Sequence, residues 1–517
     1  MARIVRIEIA ERRVLVDGVP TRLRPKSFDL LALLASRPGH LFSAEILLER
    51  VWAGRCVSPG VLPGCIREIR RALHDSALAP TWIQTVTGTG YRLLKVPKIS
   101  AKGGPPARAR GLADAPVAEC RPGEVSVGVL PFDIHFSGKA AVANALSRDI
   151  AVGLARTRWL TVAASASAEA LSRDTARKTA AQVLGVDYLV EGDLREADDA
   201  LALQVALIDA RTERILWADR MPRRDGDVAA LMEDVCNVIV AAVEREIESH
   251  EQKRAMVAPV RGVEPWISLH RAMGLLQRHN REALPSIDTT LRAAARSDPT
   301  CSRIAAARSW QAWQESFFGL TQDREDGLRR ARDLALESIS LDVLDPLGHW
   351  SLGRARWLSG ELEAAAENLQ HAVTLNPSFA IGHYSLGYTL YLTGREADAM
   401  RCCDLAIRLS PLDPMAFAFH CIKAHLSCFD GKRDEALHHA RRIADHPNVH
   451  AFALAVAAWV NEICGNRRSA LECLTRIRHI SPTYSRHEYM AALFHQSPWY
   501  PAERRRAIER AFDRLGF

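Results

Sequence analysis

The chain has 517 residues, 48% hydrophobic and 25% charged, a globular balance that argues against a disordered, collagen-like or fibrous protein and points to about three domains. Its net charge of +7 is uneven: residues 1–100 hold 16 Lys+Arg against 8 Asp+Glu, residues 101–121 add a surplus of two, and the remaining 396 carry −3. A basic head on a near-neutral body points to a polyanionic partner, while the longest apolar runs, such as Ala451 to Val460, are about half a bilayer span.

The head opens with Ile4 to Ile9 and Arg13 to Val16, which alternate like strands around a turn at Asp17-Gly18. Pro25 begins a helix with Phe28, Leu31, Leu34 and Ala35 on one face. Ser43 is placed to cap a second helix, with Ile46 and Leu47 in the core. Ser58 is placed to cap a third, with Pro59 at its first position. On that helix Leu62, Ile66, Ile69 and Leu73 form one apolar stripe. At about 100° per residue, Gly60, Gly64, Arg67 and Arg71 fall opposite it, and Arg70 lies at the flank. Small residues let a helix come close, and guanidinium groups suit phosphate and guanine, as a major-groove helix requires. A plain solvated basic face is the alternative. Pro63 is expected to bend or shorten this helix.

Trp82 to Val86 and Tyr91 to Leu94 read as strands joined through Thr87-Gly88-Thr89-Gly90, a hairpin that forms a wing. The G-T-G is no nucleotide fingerprint, because a strand follows it. Residues 97–123 lack apolar period and read as a linker. Residues 124–250 alternate strand and helix patterns, ending in a long amphipathic helix from Asp225 to Glu248, so an α/β domain is expected. From residue 264 to 517 the chain reads as helical and repeats. Leu352-Gly353 recurs as Leu386-Gly387, Gly360 as Gly394, Ala365 as Ala399 and Pro377 as Pro411, each 34 residues on. Small residues at that period mark an all-α tetratricopeptide solenoid. Residues 300–345 are expected to hold a unit with an insertion.

Residues 3–95 resemble the OmpR/PhoB-type winged-helix DNA-binding domain. The resemblance is carried by Pro25 to Leu31, Leu47 to Trp52, Ile69 to Leu73 and Ile83 to Arg92. Val125 to Phe132, Tyr188 to Gly192 and Leu216 to Arg220 resemble the TolB-like domain of multi-domain bacterial regulators. The whole is similar to HilA- and CadC-like regulators without a membrane helix. It implies a multidomain chain: winged helix-turn-helix (α+β) at 1–96, linker, α/β TolB-like at 124–250, and solenoid at 264–517. Thr87 stands where many members carry a basic wing residue, and Gly60, Cys65 and Glu68 depart from polar or basic positions. One head is thus expected to bind a site weakly, with a dimer or co-bound protein helping.

The expected function is a cytoplasmic bacterial transcriptional regulator. Gly60, Val61, Gly64, Arg67, Arg70, Arg71, Thr87, Tyr91 and Arg92 would meet duplex DNA, with Arg67 reading a base and Arg70 a phosphate. The loop Ala53 to Val57 after Trp52, with Arg55 its only charge, would meet RNA polymerase. The solenoid would bind a protein partner or a second copy, with no membrane involved. The alternative is a scaffold whose basic head binds RNA or another anionic surface. Eleven cysteines without a C-x-x-C pair read as reduced thiols; Cys402, Cys403, Cys421 and Cys428 read as small core residues, and His438-His439 as surface or packing residues. Asp187, Glu191 and Asp193 lack a nucleophile and a phosphate loop. No enzyme, metal or cofactor is expected.

Overall fold

The computed structural model describes residues 5–8, 13–16, 19–21, 23, 25–36, 39, 41–43, 47, 51, 61–73, 75, 80–86, 90–95, 98–100, 125–134, 140–171, 175–197, 200–224, 228–258, 264–278, 281–321, 323–494 and 500–517. They fall into two compact units, Met1–Asp114 and Ala115–Phe517.

In the first unit, strands Val19–Thr21, Arg13–Val16 and Val5–Glu8 form an antiparallel sheet. Lys98–Ser100 joins its edge, parallel to Val5–Glu8. This strand lies in the stretch read as linker: three residues bounded by proline carry no period, and a non-local partner completes their hydrogen bonds. A second sheet orders Phe42–Ser43, Gly90–Leu93 and Ile83–Val86, all antiparallel. Ser43, read as a helix cap, pairs with Gly90, and the residues that follow it, which it would cap, lie outside the described residues. Helix Pro25–Ser36 buries Phe28, Leu31, Leu34 and Ala35 against Leu62, Ile66, Ile69 and Leu73 of helix Val61–Leu73. Leu47 and Val51, helical and buried, are what is described of the second helix. Pro63 is the third residue of helix Val61–Leu73. The proposed caps Ser58 and Pro59 lie outside the described residues.

In the second unit, one sheet orders Leu160–Val162, Val125–Val129, Tyr188–Ala197, Ala200–Asp209 and Arg214–Arg224. The first three strands are parallel and the last two pairings antiparallel. Helix Ala140–Ala155 packs Leu146, Ile150 and Leu154 against Val235, Ile239 and Val243 of helix Val228–Val257. That long helix ends later than the sequence pattern indicates.

Helix pairs follow, beginning with Pro265–Gln277 and Leu284–Ser297. The unit expected at 300–345 is a pair of longer helices, Ser302–Phe317 and Arg324–Leu341. Four regular pairs come next: Pro346–Leu358/Leu362–Leu375, Ala380–Leu392/Glu396–Leu409, Ala416–Phe429/Arg433–Ala444 and Ala451–Ile463/Arg467–Ile480. Helices Arg486–Phe494 and Ala502–Leu515 end the chain. Within pairs the helices turn at Gly360 and Gly394, both left-handed with φ of +82° and +78°, which glycine adopts without steric cost. The solenoid curls until Phe317 meets Phe452 and Phe318 meets His450, each with ring centroids 6.1 Å apart.

The long helix also packs on the solenoid. Ala241 is buried with Ala380 and Leu409, and Ser378 Oγ donates to Asn237 Oδ1 at 3.3 Å. Arg158 pairs with Asp342 at 2.8 Å. The middle region and the solenoid therefore belong to one compact unit. No helix among the described residues is long and apolar enough to cross a membrane.

Candidate nucleic-acid interface

Helix Val61–Leu73 has a fully apolar side and a basic side. Leu62, Ile66, Ile69 and Leu73 are buried, while Arg67 and Arg71 are exposed. Neither arginine makes an ion pair among the described residues. Several contacts hold the helix in this orientation. Ser27 Oγ, buried on helix Pro25–Ser36, donates to Glu68 Oε2 at 2.8 Å. Lys26 Nζ donates to Val51 O at 2.7 Å, tying down the second helix.

Arg70, at the flank of the helix, also reaches the hairpin. Its Nη2 donates to Ile83 O at 2.9 Å and Thr85 Oγ1 at 2.8 Å, and its Nε is buried. This arginine straps the helix to the hairpin. Asp75 secures the same junction. It accepts from Thr81 N at 2.7 Å, Thr81 Oγ1 at 2.9 Å and Ile83 N at 2.8 Å. Burial opposes its charge, but the Ile83 and Thr81 amides hold the carboxyl below its ordinary value. No sequence motif marks Asp75 or the Ser27–Glu68 bond. On the hairpin, Arg92 Nε donates to Gln84 Oε1 at 2.7 Å across the pair, which aims the guanidinium. Gly90 is required by close approach, since a Cβ there would stand 1.9 Å from Phe42 O.

Pro63, Arg67, Arg70, Arg71 and Tyr91 line one surface depression between helix and hairpin. Val61 and Gly64 lie in the same helix. Gly60, Thr87, Trp52 and Arg55 lie outside the described residues. A concave surface carrying two unpaired guanidinium groups is chemically suited to phosphate and to guanine edges.

The carboxylates of the middle region are otherwise engaged. Asp187 accepts from Ser126 Oγ at 2.9 Å, Glu191 from Arg177 Nε at 2.9 Å, and Asp193 pairs with Arg195 at 2.6 Å. Cys403 is buried among the repeats beside Gly387.

Comparison with known proteins agrees with the geometry of the head. Residues 18–93 match the family "Transcriptional regulatory protein, C terminal", and residues 353–394 match "TPR repeat". The DNA-binding response regulator MtrA of Mycolicibacterium paratuberculosis is 33% identical over 89 residues, 17% of this chain and 40% of that protein. A putative adenylate cyclase 3 of Rhizobium meliloti is 28% identical over 239 residues, 45% of this chain and 40% of that protein. The chain thus spans about 40% of the length of these curated relatives. Among solved structures, Pseudomonas aeruginosa PilF aligns over 47% of this chain and 96% of its own, at 17% identity and a TM-score of 0.32. A likeness at that level assigns neither fold nor partner. The chain carries an OmpR/PhoB-type transcriptional-regulator domain at its head and tetratricopeptide repeats in its solenoid.

Proposed function

We propose that this chain is a soluble, cytoplasmic bacterial transcriptional regulator that binds promoter duplex DNA through its head. The observation that carries the proposal is the pair Arg67 and Arg71, exposed and unpaired on a helix whose opposite face is core, inside residues that match a transcriptional-regulator family. In this reading the helix enters the major groove, Arg67 meets a base edge, and Arg71 and Arg92 meet phosphates. Arg70 positions the hairpin. The domain limits are 1–96, 124–250 and 264–517, and Lys98–Ser100, just past the first limit, adds a strand to the sheet of the head. The middle domain is TolB-like, the solenoid mediates protein interaction or signal input, and Arg55 meets RNA polymerase. The chain is not an enzyme; the pairing of Asp187, Glu191 and Asp193 within the fold supports this.

The test measures binding of the full chain to a specific duplex, a random duplex and a single-stranded RNA across salt. A base-reading arginine supplies about 1–3 kcal/mol of discrimination. Arg67→Ala should therefore erase preference for the specific duplex. Arg71→Ala should weaken both duplexes alike and lower the salt slope by about one. Equal or tighter binding of the RNA would instead favour the scaffold reading, and unchanged binding by both variants would remove this helix as the reader.

A further inference from the structure

Helices Ala416–Phe429 and Ala451–Ile463 are the first helices of neighbouring pairs. Each ends before a left-handed glycine, Gly431 at φ +73° and Gly465 at +76°. Cys428 lies in the last turn of one helix and Cys464 caps the other. The ends of these two neighbouring helices lie side by side, which brings the two Sγ atoms within 3.9 Å although Cys428 and Cys464 are 36 residues apart and not at equivalent repeat positions. Cys428 therefore partners Cys464 across the repeats, in addition to filling core space. No group of three His, Cys, Asp or Glu side chains that could hold a metal exists among the described residues, so the pair stands as two thiols.

The two sulfurs sit in unequal surroundings. Arg433 Nε donates to Cys464 O at 2.7 Å, which places its guanidinium beside that cysteine. The hydrogen bond with Cys428 holds the Cys464 thiol below its ordinary value; burial opposes this and Arg433 adds to it. Cys428 is pushed up by the same hydrogen bond and then by burial. One sulfur is thus the ready nucleophile, since the thiolate is the reactive form, and the other holds its proton until needed.

We propose that Cys428 and Cys464 are a redox pair that closes to a disulfide when a hydroperoxide reaches the solenoid. The Cys464 thiolate attacks one oxygen of the peroxide. The O–O bond breaks, a sulfenic acid forms on Cys464, and the leaving alkoxide or hydroxide takes a proton from the Cys428 thiol. The Cys428 thiolate then attacks the Cys464 sulfur. The S–S bond forms, the S–O bond breaks, and hydroxide leaves as water after protonation. Two thiols lose two electrons and two protons, and the peroxide is reduced to an alcohol, or to water, plus water. The step closes the gap from 3.9 Å to about 2.05 Å. A thiol reductant reverses the bond.

The test uses the full chain, reduced, desalted and exposed to increasing hydrogen peroxide at several pH values. Remaining thiols are blocked and the protein is digested without reductant. A peptide pair joined through Cys428 and Cys464, lighter by two hydrogens and lost on reduction, is the expected product. Its rate should climb with pH over a range below that of an ordinary thiol. Cys428→Ser should leave a sulfenic acid on Cys464 that dimedone traps, and the oxidised wild-type chain should melt a few degrees higher. The proposal is overturned if this pair is no faster to link than the other cysteines, or links only in urea. The peptide map of the wild-type chain decides the matter without any variant that could fail to fold.

Discussion

Gly90 shows how much of the head rests on one missing methyl group. A Cβ would stand 1.9 Å from Phe42 O and 2.9 Å from Ser43 Cα, so alanine forces apart the pairing of Gly90 with Ser43. Both obstacles are backbone and cannot rotate away. Gly90→Ala is expected to destabilise the head by about 3 kcal/mol, the upper range for overpacking; a thermal melt that is unchanged would refute the close approach. Arg67 and Arg70 are neighbours in sequence with opposite expected signatures. Arg67→Ala should leave the melt unchanged, because its side chain is exposed. Arg70→Ala removes two hydrogen bonds to the hairpin and should cost about 1–3 kcal/mol, weakening all duplexes through a misplaced wing. The exposure of Arg67 was legible because 3.6-residue geometry alone sets it. The role of Arg70 was not, because its acceptor is a carbonyl 13 residues away that only tertiary folding brings near.

At the scale of helix pairs, the 34-residue period treats Gly353 and Gly387 as equals, and the structure separates them. A Cβ on Gly353 would sit 2.5 Å from Leu369 Cγ, whereas one on Gly387 meets its nearest atom, Ala399 O, at 3.1 Å. Replacing a helical glycine by alanine gains about 1 kcal/mol of propensity, against about 1–3 kcal/mol for real overpacking. Gly353→Ala should therefore be a net loss and Gly387→Ala close to neutral. Equal melting shifts in the two variants would contradict the difference in clearance. The repeat itself was readable because each small residue answers a local need: a left-handed turn at Gly360 and Gly394, a close crossing at Gly353. The strand Lys98–Ser100 was unreadable for the converse reason. Three residues are too few to show a period of two, and the pairing that orders them is supplied by Val5–Glu8.

At the scale of the second unit, one carboxyl stands where the middle region meets the solenoid. Glu244, on the long helix Val228–Val257, accepts from Trp159 Nε1 at 3.2 Å on the middle-region side and from Asn376 Nδ2 at 3.4 Å on the solenoid side. Arg303 lies over the Trp159 ring at 4.9 Å and pairs with Glu248 at 3.6 Å, so its charge is shared rather than given wholly to Glu244. Burial pushes the Glu244 carboxyl up from 4.5 to about 7; the Trp159 hydrogen bond opposes this, Glu248 adds to it, and Arg303 and Asn376 oppose it. The folded unit therefore favours the neutral acid. Below about pH 4.5 the group is protonated folded and unfolded, and the seam has its full stability. As pH rises from there through about 7, the unfolded chain ionises first and stability is lost. Since one pKa unit is about 1.4 kcal/mol and Glu244 keeps some access to solvent, the loss should be on the order of 2 kcal/mol. Glu244→Gln keeps an acceptor for Trp159 and removes the charge. Its denaturant midpoint should exceed that of the wild-type chain at about pH 8 and converge with it near about pH 5. Other titrating groups cancel in that difference, so parallel pH profiles for the two proteins would show that ionisation of Glu244 does not govern the seam.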